Sequence, residues 1–492
     1  MSNFLNQWHK DHRTTQPSIE TQIETQMPRT KRYECLMCLD RNPEGDLQPL
    51  GCGCVGERAY GHLECSLAAA ERIASKVGYC FWFKCSDCMQ EFSGVTRMTL
   101  AQRWCELVKD RAEEDDERLE AAHNLASCFL EGGQHAEAEK MQREILAVRK
   151  RVLGDEYTKT LRAHKTLASC LSWQAKHAEA AGTYKEMLAV CKLVHGPEHT
   201  ETLALSKDFA NSLWCQGKHA EAAKLYEQIV AERERVQGHE HADTLASRQN
   251  LANVFFHQAK YTEATKVYEH IVAVRERVQG NEHADTIDAR ENLANIFSHQ
   301  AKHAEAARLY EKIVAVRERV QGSEHADTVD TRESLANIFS KQAKHAEAAR
   351  LYEQIVAVRE RVQGLEHAKT LQTKEEMANS WFHQGRHAKA EQMFEHVLAV
   401  RQRLQGEHES PTLKTGYNLV AAYSRQQKHG DAQVLLSNML KACTCALGPD
   451  HETTLQVWHK MCDYIEKRRK ATALKHERQA EDTEASRKRS RV

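Results

Sequence analysis

The chain has 492 residues, enough for about two to four domains, and its 69 basic residues nearly balance its 70 acidic residues. This balance provides no overall field that would favour nucleic acid or a membrane surface as a partner. Glycine (22 residues) and proline (7 residues) are scarce, which predicts long helices with few breaks. The sequence shows neither an apolar N-terminal leader nor an uninterrupted apolar run of about 18 residues, so we predict no secretory signal and no membrane span. The 16 cysteines are therefore expected to be reduced, in the cytoplasm.

Residues 1–32 are polar and predicted to be disordered, and four pairs of candidate metal ligands follow them. Each pair has a gap of one or two residues, so that one turn can bring both ligands to the same metal. Zinc takes four such ligands at a tetrahedral centre, and eight ligands therefore predict two zinc ions. The pairs are Cys35 and Cys38, Cys52 and Cys54, His62 and Cys65, and Cys85 and Cys88.

The order and spacing of these pairs over residues 33–94 resemble the RING-CH (RINGv) zinc fingers of ubiquitin ligases. The sequence Cys-Ser-Asp-Cys-Met-Gln-Glu-Phe that ends at Phe92 resembles them too. A PHD finger shares the ligand order but has a wider third pair and a much shorter gap before the last pair. The resemblance implies a cross-braced arrangement, in which one zinc is held by Cys35, Cys38, His62 and Cys65 and the other by Cys52, Cys54, Cys85 and Cys88.

A finger of this kind holds a ubiquitin-conjugating enzyme and acts by positioning, without a covalent intermediate of its own. The resemblance implies that Met37, Trp82 and Phe83 contact that enzyme; alternatively, Trp82 and Phe83 fill a small core. The sequence departs from the family at Ala69, where a tryptophan is usual, and Ser86 stands where other RING types have proline.

Residues 95–117 are predicted to form a helical linker with Trp104 and Leu107 as its apolar contacts. Residues 118–466 then repeat every 42 residues in eight units, followed by a capping helix. Each unit has two apolar-periodic stretches separated by a break, which predicts two antiparallel helices. A glycine recurs where a helix end needs positive φ, and a threonine six residues later is expected to cap the next helix. These residues are Gly154, Gly196, Gly238, Gly280, Gly322, Gly364, Gly406 and Gly448, and Thr160, Thr202, Thr244, Thr286, Thr328, Thr370, Thr412 and Thr454.

Small residues at the expected helix crossing (Ala252 and Ala264) and the aromatic Tyr268 match the tetratricopeptide pattern. The 42-residue length, the Asn-Leu-Ala motif and the Val-Arg-Glu-Arg-Val-Gln-Gly ending resemble kinesin light chain repeats in particular. The expected fold is mostly α: a RING-CH finger followed by an all-α tetratricopeptide superhelix, or α-solenoid. Such arrays typically receive a peptide or helix on the concave surface of their first helices.

A polar row is predicted along that concave surface. Its amides are expected to bond a partner's backbone, and its acids are expected to select lysine or arginine. These side chains are expected on helix surfaces, so that mutating them should change stability little. Alternatively, the asparagines bond neighbouring backbone. The Arg-Glu-Arg runs are interpreted as solvated faces, and most histidines as structural or solvated. The row consists of Asn211, Asn253, Asn295, Asn337 and Asn379 with Glu291, Glu333 and Glu375.

Residues 467–492 are rich in lysine and arginine and are predicted to form a disordered tail that resembles a nuclear import signal. Two interpretations of function remain. In the first, the chain is a soluble ubiquitin ligase whose finger recruits a conjugating enzyme and whose repeats recruit a protein substrate. In the second, it is a non-catalytic zinc-binding adaptor that uses its repeats to bind proteins. The pattern contains no catalytic dyad or triad.

Overall fold

The structure is a computed structural model, and it describes residues 47–49, 60–77, 79–85 and 89–489. The chain divides into two compact units, Met1–Val267 and Tyr268–Val492, each of which is considered by itself. Within the described residues there are nineteen α-helices and a single two-stranded sheet. In this part of the chain no helix combines the length and the apolar character that crossing a membrane requires.

The first unit begins with a small mixed segment. Strands β1 (Leu47–Pro49) and β2 (Tyr60–His62) pair antiparallel, with Leu47 opposite His62. Helix α1 (Leu63–Val77), the 3-10 helix Tyr79–Trp82 and helix α2 (Gly94–Val108) follow.

The remaining helices of the first unit form hairpins, because each pair is joined by a short loop. They are α3 (Asp116–Glu131), α4 (His135–Leu153), α5 (Thr158–Trp173), α6 (His177–Val194), α7 (Thr200–Cys215), α8 (His219–Gln237) and α9 (Ala242–His257). Helix α10 (Tyr261–Val278) contains the division between the units.

The second unit continues the same pattern to the end of the described chain. Its helices are α11 (Ala284–His299), α12 (His303–Gln321), α13 (Ala326–Lys341), α14 (His345–Val362), α15 (Ala368–His383), α16 (His387–Gln405), α17 (Ser410–Arg425), α18 (His429–Leu447) and α19 (Glu452–Arg489). Eight hairpins, α3–α4 to α17–α18, thus correspond to the eight predicted 42-residue repeats. Helix α19 also contradicts the prediction of a disordered tail, since residues 467–489 are helical.

Glycine ends the second helix of each hairpin, as expected. All eight recurrent glycines have positive φ, from 84° at Gly154 to 104° at Gly406, a region that a residue with a Cβ rarely adopts. The predicted threonine caps are wrong. Each of these helices begins before its threonine, and Thr328, for example, is fully buried in the first turn of α13.

Histidine is the residue that caps most of the first helices. The Nδ1 atom of the N-cap histidine accepts a hydrogen bond from the backbone N–H two residues later, at 3.2–3.3 Å. This satisfies one of the orphan amides of the first turn, the task that serine or aspartate performs in many helices. The capping residues are His199, His241, His283, His325, His367 and His451.

The core of each hairpin follows the small-and-large pattern read from the repeats. Ala252 and Ala264 are fully buried, and so is Tyr268. An alanine at the crossing lets two helix backbones approach closely, while the aromatic ring fills the space beside it. The repeat pattern therefore predicted the packing positions correctly.

Candidate partner-binding surface

The predicted zinc segment lies only partly within the described residues. His62 ends β2 and Cys65 lies in the first turn of α1, so this pair spans a strand–helix junction. The backbone N–H of Cys85 donates to the carbonyl of Gln90 at 2.9 Å. No group of three or more His, Cys, Asp or Glu side chains suited to a metal occurs among the described residues, and the two zinc ions stay a prediction. The predicted site residues outside the described ranges are Cys35, Met37, Cys38, Cys52, Cys54 and Cys88.

Trp82 is a core residue in this structure. Its side chain is 4% exposed and stacks on Trp104 of α2 with a ring-centroid distance of 6.1 Å. Phe83 is half-buried and packs on the same indole at 6.3 Å. This arrangement agrees with the alternative of a small core, and contact of these residues with a conjugating enzyme stays a prediction. The linker expectation is confirmed for Trp104 and wrong for Leu107, which is 48% exposed.

The asparagines of the predicted row are anchored by tyrosines. In the second unit, Asn295 accepts a hydrogen bond from the Tyr310 hydroxyl and Asn337 accepts one from the Tyr352 hydroxyl, both at 2.6 Å. Burial raises the pKa of both tyrosines, which keeps their hydroxyls protonated as donors. Each bond occupies the amide oxygen and leaves the amide N–H groups without an acceptor among the described residues. The alternative of a bond to neighbouring backbone is replaced here by a side-chain bond.

The other asparagines differ in their surroundings. In the first unit, Asn211 is buried and accepts from the Tyr226 hydroxyl, and Asn253 is half-buried. At the far end of the row, Phe394 occupies the tyrosine position and has no hydroxyl. Asn379 instead donates to Glu376 at 3.3 Å. Asn295 and Asn337 each combine a fixed oxygen with solvent access.

Each glutamate of the predicted row bonds an arginine that lies 26 residues later. Glu375 is 1% exposed and also accepts a hydrogen bond from Asn418 Nδ2 at 2.8 Å, so the expected surface position is wrong for this residue. Burial raises the pKa of Glu291, while its arginine opposes the shift. The acids are thus already paired within the chain. The pairs are Glu291–Arg317 and Glu333–Arg359 at 2.9 Å and Glu375–Arg401 at 2.6 Å.

These arginines belong to a buried ladder that the sequence analysis missed. The first arginine of each Arg-Glu-Arg run, and of the equivalent Arg149-Lys-Arg and Arg401-Gln-Arg runs, is buried and donates to the backbone carbonyl ten residues later, at 2.7–3.4 Å. The interpretation of these runs as solvated faces is therefore wrong for the first arginine. The available signal was its position four residues after a buried aliphatic residue, on the same helix face. The donors and acceptors are Arg149–Lys159, Arg233–Asp243, Arg275–Asp285, Arg317–Asp327, Arg359–Lys369 and Arg401–Pro411.

A second row of exposed side chains lies one turn after the asparagines of the second unit. It consists of His299, Lys341 and His383, at the ends of α11, α13 and α15. Lys341 Nζ donates to Ser298 Oγ at 2.9 Å, and burial together with the Lys341 charge lowers the pKa of His299. Because the acids are paired with arginines, this face offers mainly N–H donors and the charge of Lys341.

Matches to family models decide the family. Models described as tetratricopeptide repeat match residues 117–192, 163–234, 201–277, 243–319, 285–361 and 370–411, which together cover more than half of the chain. The chain belongs to the tetratricopeptide repeat family. The expected all-α repeat architecture and the expectation of protein partners are confirmed at this level. No RING-CH finger is detected in residues 33–94, and no curated protein sequence matches the chain significantly.

Solved structures resemble parts of this tetratricopeptide protein. A candidate kinesin light chain from Podosopora anserina with nearly identical TPR-like repeats is 27% identical and covers 41% of this chain and 96% of its own, with a TM-score of 0.39. BtubC (BKLC) from P. vanneervenii is 17% identical and covers 50% and 92%, with a TM-score of 0.38. A STAND protein with a tetratricopeptide repeat sensor from Pyrococcus horikoshii is 11% identical and covers 70% and 52%, with a TM-score of 0.46.

Proposed function

We propose that this chain is a protein-binding scaffold whose second unit receives a partner segment on the face that bears Asn295, Asn337 and Lys341. The observation that carries the proposal is the pair of tyrosine-anchored asparagines. Each amide has its oxygen fixed by a buried hydroxyl, so its N–H groups are oriented before a partner arrives. A donor that is already ordered loses little side-chain entropy when it binds.

The chemistry of this face favours a partner rich in acceptors. Backbone carbonyls suit the asparagine amides, and a carboxylate suits Lys341. A lysine or arginine would find Glu333 and Glu375 already bonded to buried arginines. We therefore replace the expectation of a basic peptide with an extended or helical segment that carries acidic side chains.

Selection from a random peptide library on the full chain tests this proposal. Acid-containing peptides should be enriched, and Asn295→Ala with Asn337→Ala should weaken their binding by about 30-fold, since each lost hydrogen bond contributes about 1 kcal/mol. Lys341→Glu should abolish the preference for acids. Lys312→Ala, at an exposed position of the second helix α12, is the matched control. Enrichment of basic peptides, or equal binding by the double variant and the control, would refute the proposed face.

A second candidate function is ubiquitin transfer, and the ligand spacing of residues 33–94 supports it. In this proposal the segment holds two zinc ions with the cross-braced ligands given above, and Met37, Trp82 and Phe83 are the proposed contacts to a conjugating enzyme. Met37→Ala should then block autoubiquitination without loss of zinc, whereas Cys52→Ser should lose both. A wild-type chain that holds two zinc ions and transfers ubiquitin with no conjugating enzyme in a panel would leave the adaptor function.

The cellular location is a proposal that rests on the composition and on the basic end of α19. We propose a cytoplasmic chain in which residues 467–470 act as an import signal. Imaging of the full chain and of a variant with these four residues changed to alanine tests this. Equal nuclear fractions of the two chains would refute the proposed import signal.

A further inference from the structure

Helix α19 is in register with the first helices of the eight repeats, but no second helix follows to pack beside it among the described residues. It keeps the register of the eight complete units: Gly448 precedes it, His451 caps it and Thr454 is buried in its first turn. The first helices of the complete units have 16 residues and then turn, but α19 runs on for 38 residues. At 1.5 Å per residue it is about 57 Å long, more than twice the length of α17.

Helix α19 has an apolar face that no other described residue covers. In the complete eighth unit, Leu413 of α17 packs on Met439 and Cys443 of α18 and is 5% exposed. Forty-two residues later, Leu455 of α19 is 43% exposed. Val420 of α17 is likewise buried, whereas Cys462, its equivalent 42 residues later in α19, is exposed.

Trp458 is the largest residue on this uncovered face. Its counterpart in α17 is Gly416, where an added Cβ would lie 2.7 Å from the Met439 sulfur. The Met439 side chain thus fills the space beside Gly416, and a side chain at that position would have to displace it. In α19 the position carries an indole that is 48% exposed, with room for a wider neighbour. Leu455, Trp458 and Cys462 follow the i, i+3, i+7 spacing of a helix-docking stripe. We call these three residues the terminal stripe.

We propose that the terminal stripe binds the terminal stripe of a second copy of this chain, with the two α19 helices antiparallel. If the two-fold axis passes midway between Trp458 and Cys462, Trp458 lies opposite Cys462 of the other copy. This axis also places Leu455 opposite Ile465 of the other copy. The face formed by the terminal stripe and Ile465 is therefore complementary to itself, as a two-fold interface requires.

The charges along α19 favour the antiparallel direction. Asp450 and Glu452 lie at the start of the helix, and neither has a basic partner among the described residues. Lys467 and Arg469 lie beyond the stripe, and no acidic partner for them occurs in the described part of the chain. Antiparallel pairing brings the acidic start of each helix beside the basic segment of the other. A parallel pair would place like charges together.

Sedimentation equilibrium of the full chain tests the proposal at concentrations from about 1 µM to about 100 µM. The wild type should approach twice the 56.2 kDa chain mass. Trp458→Glu should weaken the dimer at least about tenfold, because it buries a charge in the apolar contact. Leu455→Glu should act in the same way, which guards against an effect peculiar to the tryptophan. Val362→Glu is the matched control, since Val362 is an exposed apolar residue at a helix end away from the stripe.

A wild-type chain that stays monomeric to the highest concentration would overturn the proposal and leave the stripe to a different partner. Equal dissociation by Val362→Glu would also overturn it, since the contact would then lie elsewhere. The direction has its own test. Lys467→Glu with Arg469→Glu should weaken the dimer more at about 50 mM salt than at about 500 mM salt. A dimer with no such salt dependence would contradict the antiparallel pairing.

Discussion

Removal of the Glu375 carboxylate should destabilise the second unit far more than a surface mutation does. Arg401 is buried, and its Nη1 donates to Glu375 at 2.6 Å and to the Pro411 carbonyl at 2.9 Å. In Glu375→Ala the guanidinium loses its only close anionic partner among the described residues while it stays out of water. Breaking a buried ion pair by removing one partner costs about 3–5 kcal/mol.

The Glu366–Arg403 ion pair provides the control, since both of its side chains are about half exposed. Glu366→Ala should cost less than about 1 kcal/mol. Because repeat arrays need not unfold in one step, hydrogen exchange of the α15–α17 segment is the primary measurement, with urea unfolding as support. A matched double variant, Glu375→Ala with Arg401→Met, should recover part of the loss because no buried charge remains. Similar protection losses in Glu375→Ala and Glu366→Ala would refute the reasoning.

Three further results are expected. His325→Ala should destabilise the second unit by about 1 kcal/mol and His325→Asn by less, since asparagine can also accept at an N-cap; equal losses in urea unfolding would argue against the cap. Burial and the nearby Arg162 and Arg149 lower the pKa of His123 to about 3, so the stability of the first unit should fall by about 1.4 kcal/mol per pH unit below pH 6.5, where the unfolded chain binds a proton that the folded chain does not. His123→Gln should flatten this dependence of the unfolding free energy on pH. The segment 33–94 should contain two zinc ions by metal analysis and lose its fold on chelation, and a stoichiometry of one would exclude the cross-braced arrangement.

The repeat signals predicted the helix hairpins because they are local. A glycine with positive φ and an alanine at a crossing act within one unit, so the 42-residue period was enough to find them. The cap was misassigned because threonine is a common capping residue, whereas here the histidine three positions earlier accepts the amide bond. The regular spacing located each helix start but did not identify which residue accepts the hydrogen bond of the free backbone amide there.

Interactions between helices were harder to predict. Glu375 and Arg401 lie 26 residues apart, in different helices, and nothing in either local pattern marks them as partners. The arginine lies four residues after the buried Val397, which would have indicated a buried position. The aromatic cluster of Trp82 and Trp104 similarly joins a 3-10 helix to a later α-helix. Exposure in both cases depends on how the helices meet, and composition does not determine this.

The buried arginines also bear on how nearly identical repeats keep their register. Residues 303–322 and 345–364 differ only at Lys312 and Gln354, so their apolar contacts alone would permit one helix to take the place of the other. Arg359 has partners on three sides: Glu333 in the first helix of its own repeat, and Thr373 and the Lys369 carbonyl in the next repeat. A helix that is displaced along its axis would leave this charge buried without those bonds, at a cost of several kcal/mol. The ladder thus adds to the apolar core a penalty for incorrect packing, and this penalty is strongest where the sequence is most repetitive.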